Sequence, residues 1–181
     1  MGGRVDSRSL RIIVCLFVLA AWSAVPGRAA EKRFGLGVHY WEAVSNLANK
    51  GFGHLQDNGT SWLVSYQVAP RGLFTFEADL EYFNSGFGGS DVSTFSPQFF
   101  VLVGHGLYAG AGVGLNMSGG FDSTVSDPFY IGRVGFDFEV IPRLYVDVNA
   151  NYQVNAFNQL GHTSTDAITL GAMLRWDVSS R

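Results

Sequence analysis

From Arg33 onward, hydrophobic and polar positions alternate with a period of two. Phe34, Leu36, Val38 and Tyr40 share one face; Gly35, Gly37, His39 and Trp41 share the other. The same pattern recurs at Trp62–Val68, Phe74–Tyr82, Gln98–Val103, Leu107–Asn116, Tyr130–Glu139, Leu144–Asn155 and Ile168–Val178. A period of two is the strand signal, because successive side chains of a strand point to opposite faces. Eight segments result, mostly of about 9–11 residues, the length a tilted strand needs to cross a bilayer. Ordinary strands average about five or six.

The connections alternate as well. Short links follow the second, fourth and sixth segments: Pro70-Arg71-Gly72, His105-Gly106 and Ile141-Pro142-Arg143. Long links rich in Gly, Asn, Ser, Asp and Thr follow the others, over 43–60, 84–94, 118–127 and 156–166. Short turns on one side and long loops on the other describe an outer-membrane barrel, with both termini on the short-turn, periplasmic side. The stretch Phe99–Met117 lacks Asp, Glu, Lys and Arg and reads as a transmembrane helix by hydropathy alone. Its five glycines, three of them at Gly110, Gly112 and Gly114, argue instead for a hairpin turning at His105-Gly106.

Which face meets which medium follows from bulk. The apolar face carries Tyr40, Trp62, Tyr66, Phe74, Phe76, Tyr82, Phe99, Tyr130, Phe136, Phe138, Tyr152 and Trp176. An eight-stranded barrel has an interior only just wide enough for ordinary side chains, so these rings are expected to face lipid. The opposite face holds Gly35, Gly37, Ser65, Gly110, Gly112, Gly114, Asn149 and Asn151, which suit a crowded lumen. The competing architecture is a soluble two-sheet sandwich that buries the apolar face.

Composition sharpens this picture. The 181 residues are 47% hydrophobic and only 15% charged, against about 25% charged in an average soluble domain. A surface band that touches lipid explains the deficit. The net charge of −3 gives no footing for nucleic acid. Residues 1–29 read as a secretory signal: Arg4, Arg8 and Arg11, then the uncharged run Ile12–Trp22, then SAVPGRAA with small residues at a cleavage point after Ala29, or after Ala30. The domain proper is then 30–181. Cleavage takes Lys+Arg from 12 to 8 and Asp+Glu from 15 to 14, leaving a net charge of about −6. Cys15 leaves with the signal, so no disulfide, thiolate metal site or cysteine nucleophile remains.

With its eight alternating segments, its signal peptide and its last strand DAITLGAMLRWDV, the chain resembles the small outer-membrane β-barrel family of OmpA/OmpX type. The likeness covers 31–178 and rests on layout rather than on a diagnostic motif. It implies an all-β, eight-stranded antiparallel up-and-down transmembrane barrel in the outer membrane of a Gram-negative cell. It also implies insertion by the outer-membrane assembly machinery, which such barrels address through a terminal aromatic. Here Trp176 is set back behind Asp177-Val178-Ser179-Ser180-Arg181.

The inward face should carry Glu77, Asp79, Glu81, Arg133, Asp137, Glu139, Asp147, Arg175 and Asp177. Buried charges are costly unless paired, so a salt-bridged plug is expected, with a proton or ion path as the functional rival. Lipid A deacylases and palmitoyltransferases use similar scaffolds. The local candidate for such chemistry is His162-Thr163-Ser164 with Asp166, which lacks a nucleophile elbow and a strand to hold it. His39, His54, His105 and His162 are scattered without metal-ligand spacing. Asp122 and Asp127 are the weak calcium candidates, and Asn58-Gly59-Thr60 fits a glycosylation sequon. Phe52, Leu55, Phe87, Phe121 and Phe157 stand in the polar loops, either packing them together or forming a contact patch.

The expectation is a non-enzymatic outer-membrane barrel with no catalytic, cofactor or metal residues. It serves membrane integrity or surface interaction through loops 43–60, 84–94, 118–127 and 156–166, and its partners are outer-membrane lipid and lipopolysaccharide. The alternatives are a lipid-modifying hydrolase and a narrow porin.

Overall fold

The computed structural model describes residues 30–43, 58–70, 72–84, 93–118, 128–154 and 167–179. The expected signal segment, and His54, Asp122, Asp127, His162, Thr163, Ser164 and Asp166, lie outside them. So do the five loop hydrophobics from Phe52 to Phe157.

Eight strands carry the fold: β1 Glu31–Ala43, β2 Asn58–Ala69, β3 Phe74–Phe83, β4 Thr94–His105, β5 Leu107–Gly114, β6 Phe129–Ile141, β7 Leu144–Val154 and β8 Ala167–Asp177. Met117–Ser118 continues β5 after a break and pairs with Thr94 and Phe95 of β4. Each strand is antiparallel to its chain neighbours. β1 also pairs with β8, from Arg33↔Asp177 to Ala43↔Ala167, and this pairing closes the sheet. Closure removes every open edge, which a lipid environment demands because it offers no water to unpaired backbone groups.

Three tight turns join strands at the end that also holds Glu31 and Asp177. Gly106 turns at φ +73° between β4 and β5, a conformation that glycine adopts without steric cost. Arg143 turns at φ +74° between β6 and β7, next to a bulge at Glu139–Ile141. Its N–H donates to Glu139 Oε1 (2.7 Å) and its carbonyl accepts from Asp177 N (2.8 Å), which holds the strained residue in place. The break in β5 faces Pro97 of β4. Leu115 N still donates to Pro97 O (3.1 Å), but proline has no N–H to return, so the ladder lapses at Leu115–Asn116.

Strands reach further toward the loops than alternation predicts. Asn58, Gly59 and Thr60 belong to β2, opposite Glu42, Trp41 and Tyr40. Thr94 belongs to β4, opposite Phe83 and Ser118. The loops expected over 43–60, 84–94 and 118–127 are shorter by those residues. Polar strand ends carry no hydrophobic alternation to announce them.

The two faces divide as expected. Leu36, Trp62, Val134, Val148 and Leu174 are 56%, 63%, 57%, 52% and 55% exposed on the outside. Their neighbours in sequence face the lumen and are buried or half-buried. Val68 and Val154 depart from the scheme: both hold outward positions yet are buried. The lumen is also less polar than expected. Trp41, Phe83, Phe100, Tyr108, Phe129 and Ile131 all fill it. Glycines beside them supply the room. A Cβ on Gly112 would meet the Phe100 ring, one on Gly114 the Phe129 ring, and one on Gly59 the Trp41 indole.

Candidate functional site

The lumen is the one place where charged chemistry is concentrated among the described residues, and it is built in tiers. The lowest lies at the turn end. Arg33 of β1 donates from Nε to Glu31 Oε1 (2.7 Å), and its Nη1 bonds Asp137 of β6 on another wall. Its guanidinium lies 3.7 Å from the centre of the Tyr145 ring, a cation–π contact. Arg143 approaches Asp177 at 3.8 Å. Ser179 ties the chain end to this rim: Lys32 N donates to its Oγ (2.8 Å) and Arg143 Nη2 to its carbonyl (3.2 Å).

Above it sits the central tier, where the Glu77 carboxylate of β3 is the hub. Arg133 of β6 reaches it through Nη1 (2.6 Å). Arg175 of β8 reaches it through both terminal nitrogens, 3.0 Å to Oε2 and 3.1 Å to Oε1. Gln67 of β2 donates to Oε2 (2.5 Å). A two-pronged guanidinium contact of this kind is stronger and more directional than a single hydrogen bond. Arg133 also holds Asp79 (2.9 Å) and Asn151 (2.5 Å) and stacks at 3.7 Å on the Phe100 ring. Arg175 adds Ser65 (3.0 Å) and lies 3.7 Å from Asp147. Asp147 in turn accepts from Tyr108 (2.6 Å) and Asn149 (2.7 Å).

Arg133 and Arg175 are 1% and 0% exposed, so these charges have left water entirely. Charges can sit there only because partners replace the lost hydration. The fold provides them by pointing every second residue of β2, β3, β5, β6, β7 and β8 at one another across a narrow bore.

The upper tier is centred on Glu81. It accepts from Ser61 (2.5 Å) and Gln98 (2.9 Å), and His39 Nδ1 lies 2.9 Å from the same oxygen that Ser61 uses. Serine, histidine and carboxylate are therefore together, but not as a relay. The Ser61 hydroxyl donates to the carboxylate and not to the ring, so the arrangement does not hand its proton to the imidazole. The far ring nitrogen, Nε2, is buried without a hydrogen-bond partner, and the ring edge lies against Gly171, where a Cβ would collide with it. Trp41 and Phe83 pack edge to face (6.5 Å between centroids) at the loop end.

Of the nine charged residues expected inside, Glu77, Asp79, Arg133, Asp147 and Arg175 form one cluster. Glu81 belongs to the His39 group, Asp137 and Asp177 to the turn-end rim, and Glu139 is exposed. Sequence reasoning missed the neutral satisfiers Gln67, Ser65, Tyr108 and Asn151, and the bridge from Arg33 to Asp137. The alternation had already placed all of them inward, which was the available signal. Among the described residues no cluster of His, Cys, Asp and Glu could hold a metal ion.

No protein-family model matches the chain, and no curated protein matches its sequence. Solved structures do match in shape. Neisserial surface protein A superposes with a TM-score of 0.56 at 16% identity, covering 83% of this chain and 99% of its own. The N-terminal β-barrel domain of Pseudomonas aeruginosa OprF gives 0.54 at 10% identity, covering 84% and 99%. A de novo designed transmembrane β-barrel gives 0.50 at 14%, covering 85% and 100%. The fold is that of the small eight-stranded outer-membrane barrels. An exterior this apolar is the surface that a barrel of this fold presents to lipid.

Proposed function

We propose that the protein is a non-enzymatic outer-membrane barrel whose plugged lumen serves rigidity, and whose loop-side surface supports membrane integrity and surface contact. One observation carries this reading: in the centre of the lumen Arg133 lies against Glu77 and Asp79, and Arg175 against Glu77 and Asp147, so the described charges of the two signs face one another across the bore. A solute channel needs a wetted path, and a hydrolase needs a nucleophile free to lose its proton.

On this reading residues 1–29 are a cleaved signal and 30–181 the mature barrel. Lipopolysaccharide and phospholipid surround the outward face, and an extracellular ligand meets the loops within 43–60, 84–94, 118–127 and 156–166. The outward series Leu170, Leu174, Trp176 and Val178 runs on past the end of β8, because Val178 N donates to Lys32 O (2.8 Å). It offers the insertion machinery an apolar terminal edge.

The test combines three measurements, one on the folded full chain and two on cells with and without it. In planar bilayers the folded protein is expected to give no discrete conductance steps. Lipid A from cells with and without the protein is expected to have the same mass spectrum, while cells lacking it become more permeable to a hydrophobic dye. Steady single-channel steps would favour the porin, and loss of an acyl chain from lipid A the hydrolase.

A further inference from the structure

The apolar band on the outer face is not equally tall all round the barrel. Its loop-side edge is marked by one girdle of rings: Tyr40, Trp62, Tyr82, Tyr130 and Tyr152. Tyr40 and Trp62 are diagonal neighbours, Trp62 pairs with Tyr82, and Tyr130 and Tyr152 are diagonal neighbours. The two groups join through Ile168, which pairs with Tyr152 on one side and with Glu42, the next outward position after Tyr40, on the other. Rings with an apolar body and a polar tip settle at the membrane–water boundary. The girdle therefore sets a common level from which each strand can be followed toward the turns. One outward step is two residues, about 6.6 Å along a strand and about 5 Å along the axis of a barrel whose strands tilt by about 40°.

Followed in this way, the band is short on one side and tall on the other. On β1 it runs through Val38, Leu36 and Phe34, three steps or about 15 Å, and then meets Lys32. On β2 it runs through Val64, Tyr66 and the buried Val68, and the strand ends at Ala69. On β6 it continues through Gly132, Val134, Phe136 and Phe138 to the exposed Val140 and Ile141 at the bulge, about 25 Å, the full height of such a band. On β7 it reaches Leu144, four steps below Tyr152. Lys32 is the one outward-facing Lys or Arg on the described strands. The change falls at the closure seam, where the exposed Val178 donates its N–H to Lys32 O.

We propose that the barrel thins the inner leaflet beside β1 and β2, with Lys32 set against the phosphates of its phospholipids. The proposal rests on the membrane reading of the barrel and gives the lipid around it a definite shape. An apolar stretch shorter than the hydrocarbon is accommodated by drawing the bilayer in. The loop-side girdle is continuous across the short and tall sides, so the shortfall of about 10 Å on β1 falls on the turn-side leaflet. A lysine at that edge keeps its stem in the apolar layer and its ammonium among the headgroups. Tilting a band of uniform height does not give this pattern, because a tilt displaces the loop-side edge as much as the turn-side edge.

The test uses the full-length chain with Cys15→Ser, folded into palmitoyl-oleoyl phosphatidylcholine vesicles and carrying one nitroxide at a time. Phe34 and Phe136 both lie three steps below the girdle, on the short and the tall side. A water-soluble nickel chelate should relax the Phe34 label several-fold more than the Phe136 label, and oxygen should relax it less. Labels at Val38 and Ala150, one step below the girdle on β1 and β7, should report equal depths. Lys32→Leu lengthens the band on β1, so it should move the Phe34 label to the Phe136 value and leave Phe136 unchanged. Equal depths at Phe34 and Phe136 in the unsubstituted barrel overturn the proposal, and this arm stands even where Lys32→Leu fails to fold. A Val38 label deeper than Ala150, the sign of a tilted uniform band, overturns it too, as does a Phe34 depth that Lys32→Leu does not move. Labels at all four positions relaxed by the chelate alone would instead sink the membrane reading beneath it.

Discussion

The outside and the inside of this barrel are built from the same strands, one residue out of step, yet they are stabilised in different ways. The outer face is a list of separate residues: Leu36, Val64, Val113, Val148 and Leu174 each need only a hydrocarbon neighbour, which the bilayer supplies. The inner face is a network. Glu77 serves Arg133 and Arg175, Arg133 serves Asp79 and Asn151, and Asp147 serves Arg175, Asn149 and Tyr108. One substitution outside is therefore a local event, whereas one substitution inside strands several partners.

The largest effect should come from the hub. Glu77→Gln leaves two guanidiniums buried against an uncharged side chain, and removal of one partner from a buried ion pair costs about 3–5 kcal/mol. Urea unfolding of the barrel in phospholipid vesicles, followed by tryptophan fluorescence, is expected to show that loss. A change below about 1 kcal/mol would mean the network is wet and screened.

The outer face should respond by depth. Val148→Arg places a charge in the middle of β7 and should cost about 2–4 kcal/mol, whereas Val178→Arg, past the end of β8, should cost about 0–1. Equal costs at the two positions would break the distinction between a lipid band and its edge.

Glycines offer a finer comparison across the two faces. A Cβ on Gly112 would lie 2.5 Å from Phe100 Cδ1, whereas one on Gly132 meets nothing within 4 Å. Gly112→Ala is expected to destabilise by about 1–3 kcal/mol through overpacking. Gly132→Ala should be close to neutral in the same unfolding measurement.

The smallest effect belongs to the turn-end rim. Arg33 and Asp137 are partly exposed, so Arg33→Ala should cost about 0–1 kcal/mol. The difference should shrink further when the unfolding series is repeated in high salt.

These two faces were also unequally legible in the sequence. Strand number, facing and the three tight turns follow from period-two alternation and from Gly106 and Pro142, because both are local properties. Phe34, Leu36, Val38 and Tyr40 need no knowledge of the rest of the chain to be placed on one face. The pairing inside depends on the stagger between strands far apart in sequence. That Glu77 would meet Arg133, 56 residues on, is set by closure of the whole barrel. The aromatic filling was legible in part: alternation puts Trp41, Phe100 and Tyr108 on the inward face, while Phe83 and Phe129 lie beyond the alternating segments. An interior too narrow for rings was assumed residue by residue, while the fold supplies width by setting Gly59 opposite Trp41 and Gly112 opposite Phe100. The run of glycines on β5 was already visible as a strand signal and also marked where those rings would go.

The central claim is that the apolar stripe touches acyl chains. Nitroxide labels at Val64, Val113 and Val148 in the vesicle-folded protein test it most directly, through relaxation by oxygen, which partitions into hydrocarbon, and by a water-soluble nickel chelate. All three labels should be relaxed strongly by oxygen and weakly by the chelate. Labels immobilised by surrounding protein, or more accessible to the chelate than to oxygen, would contradict it.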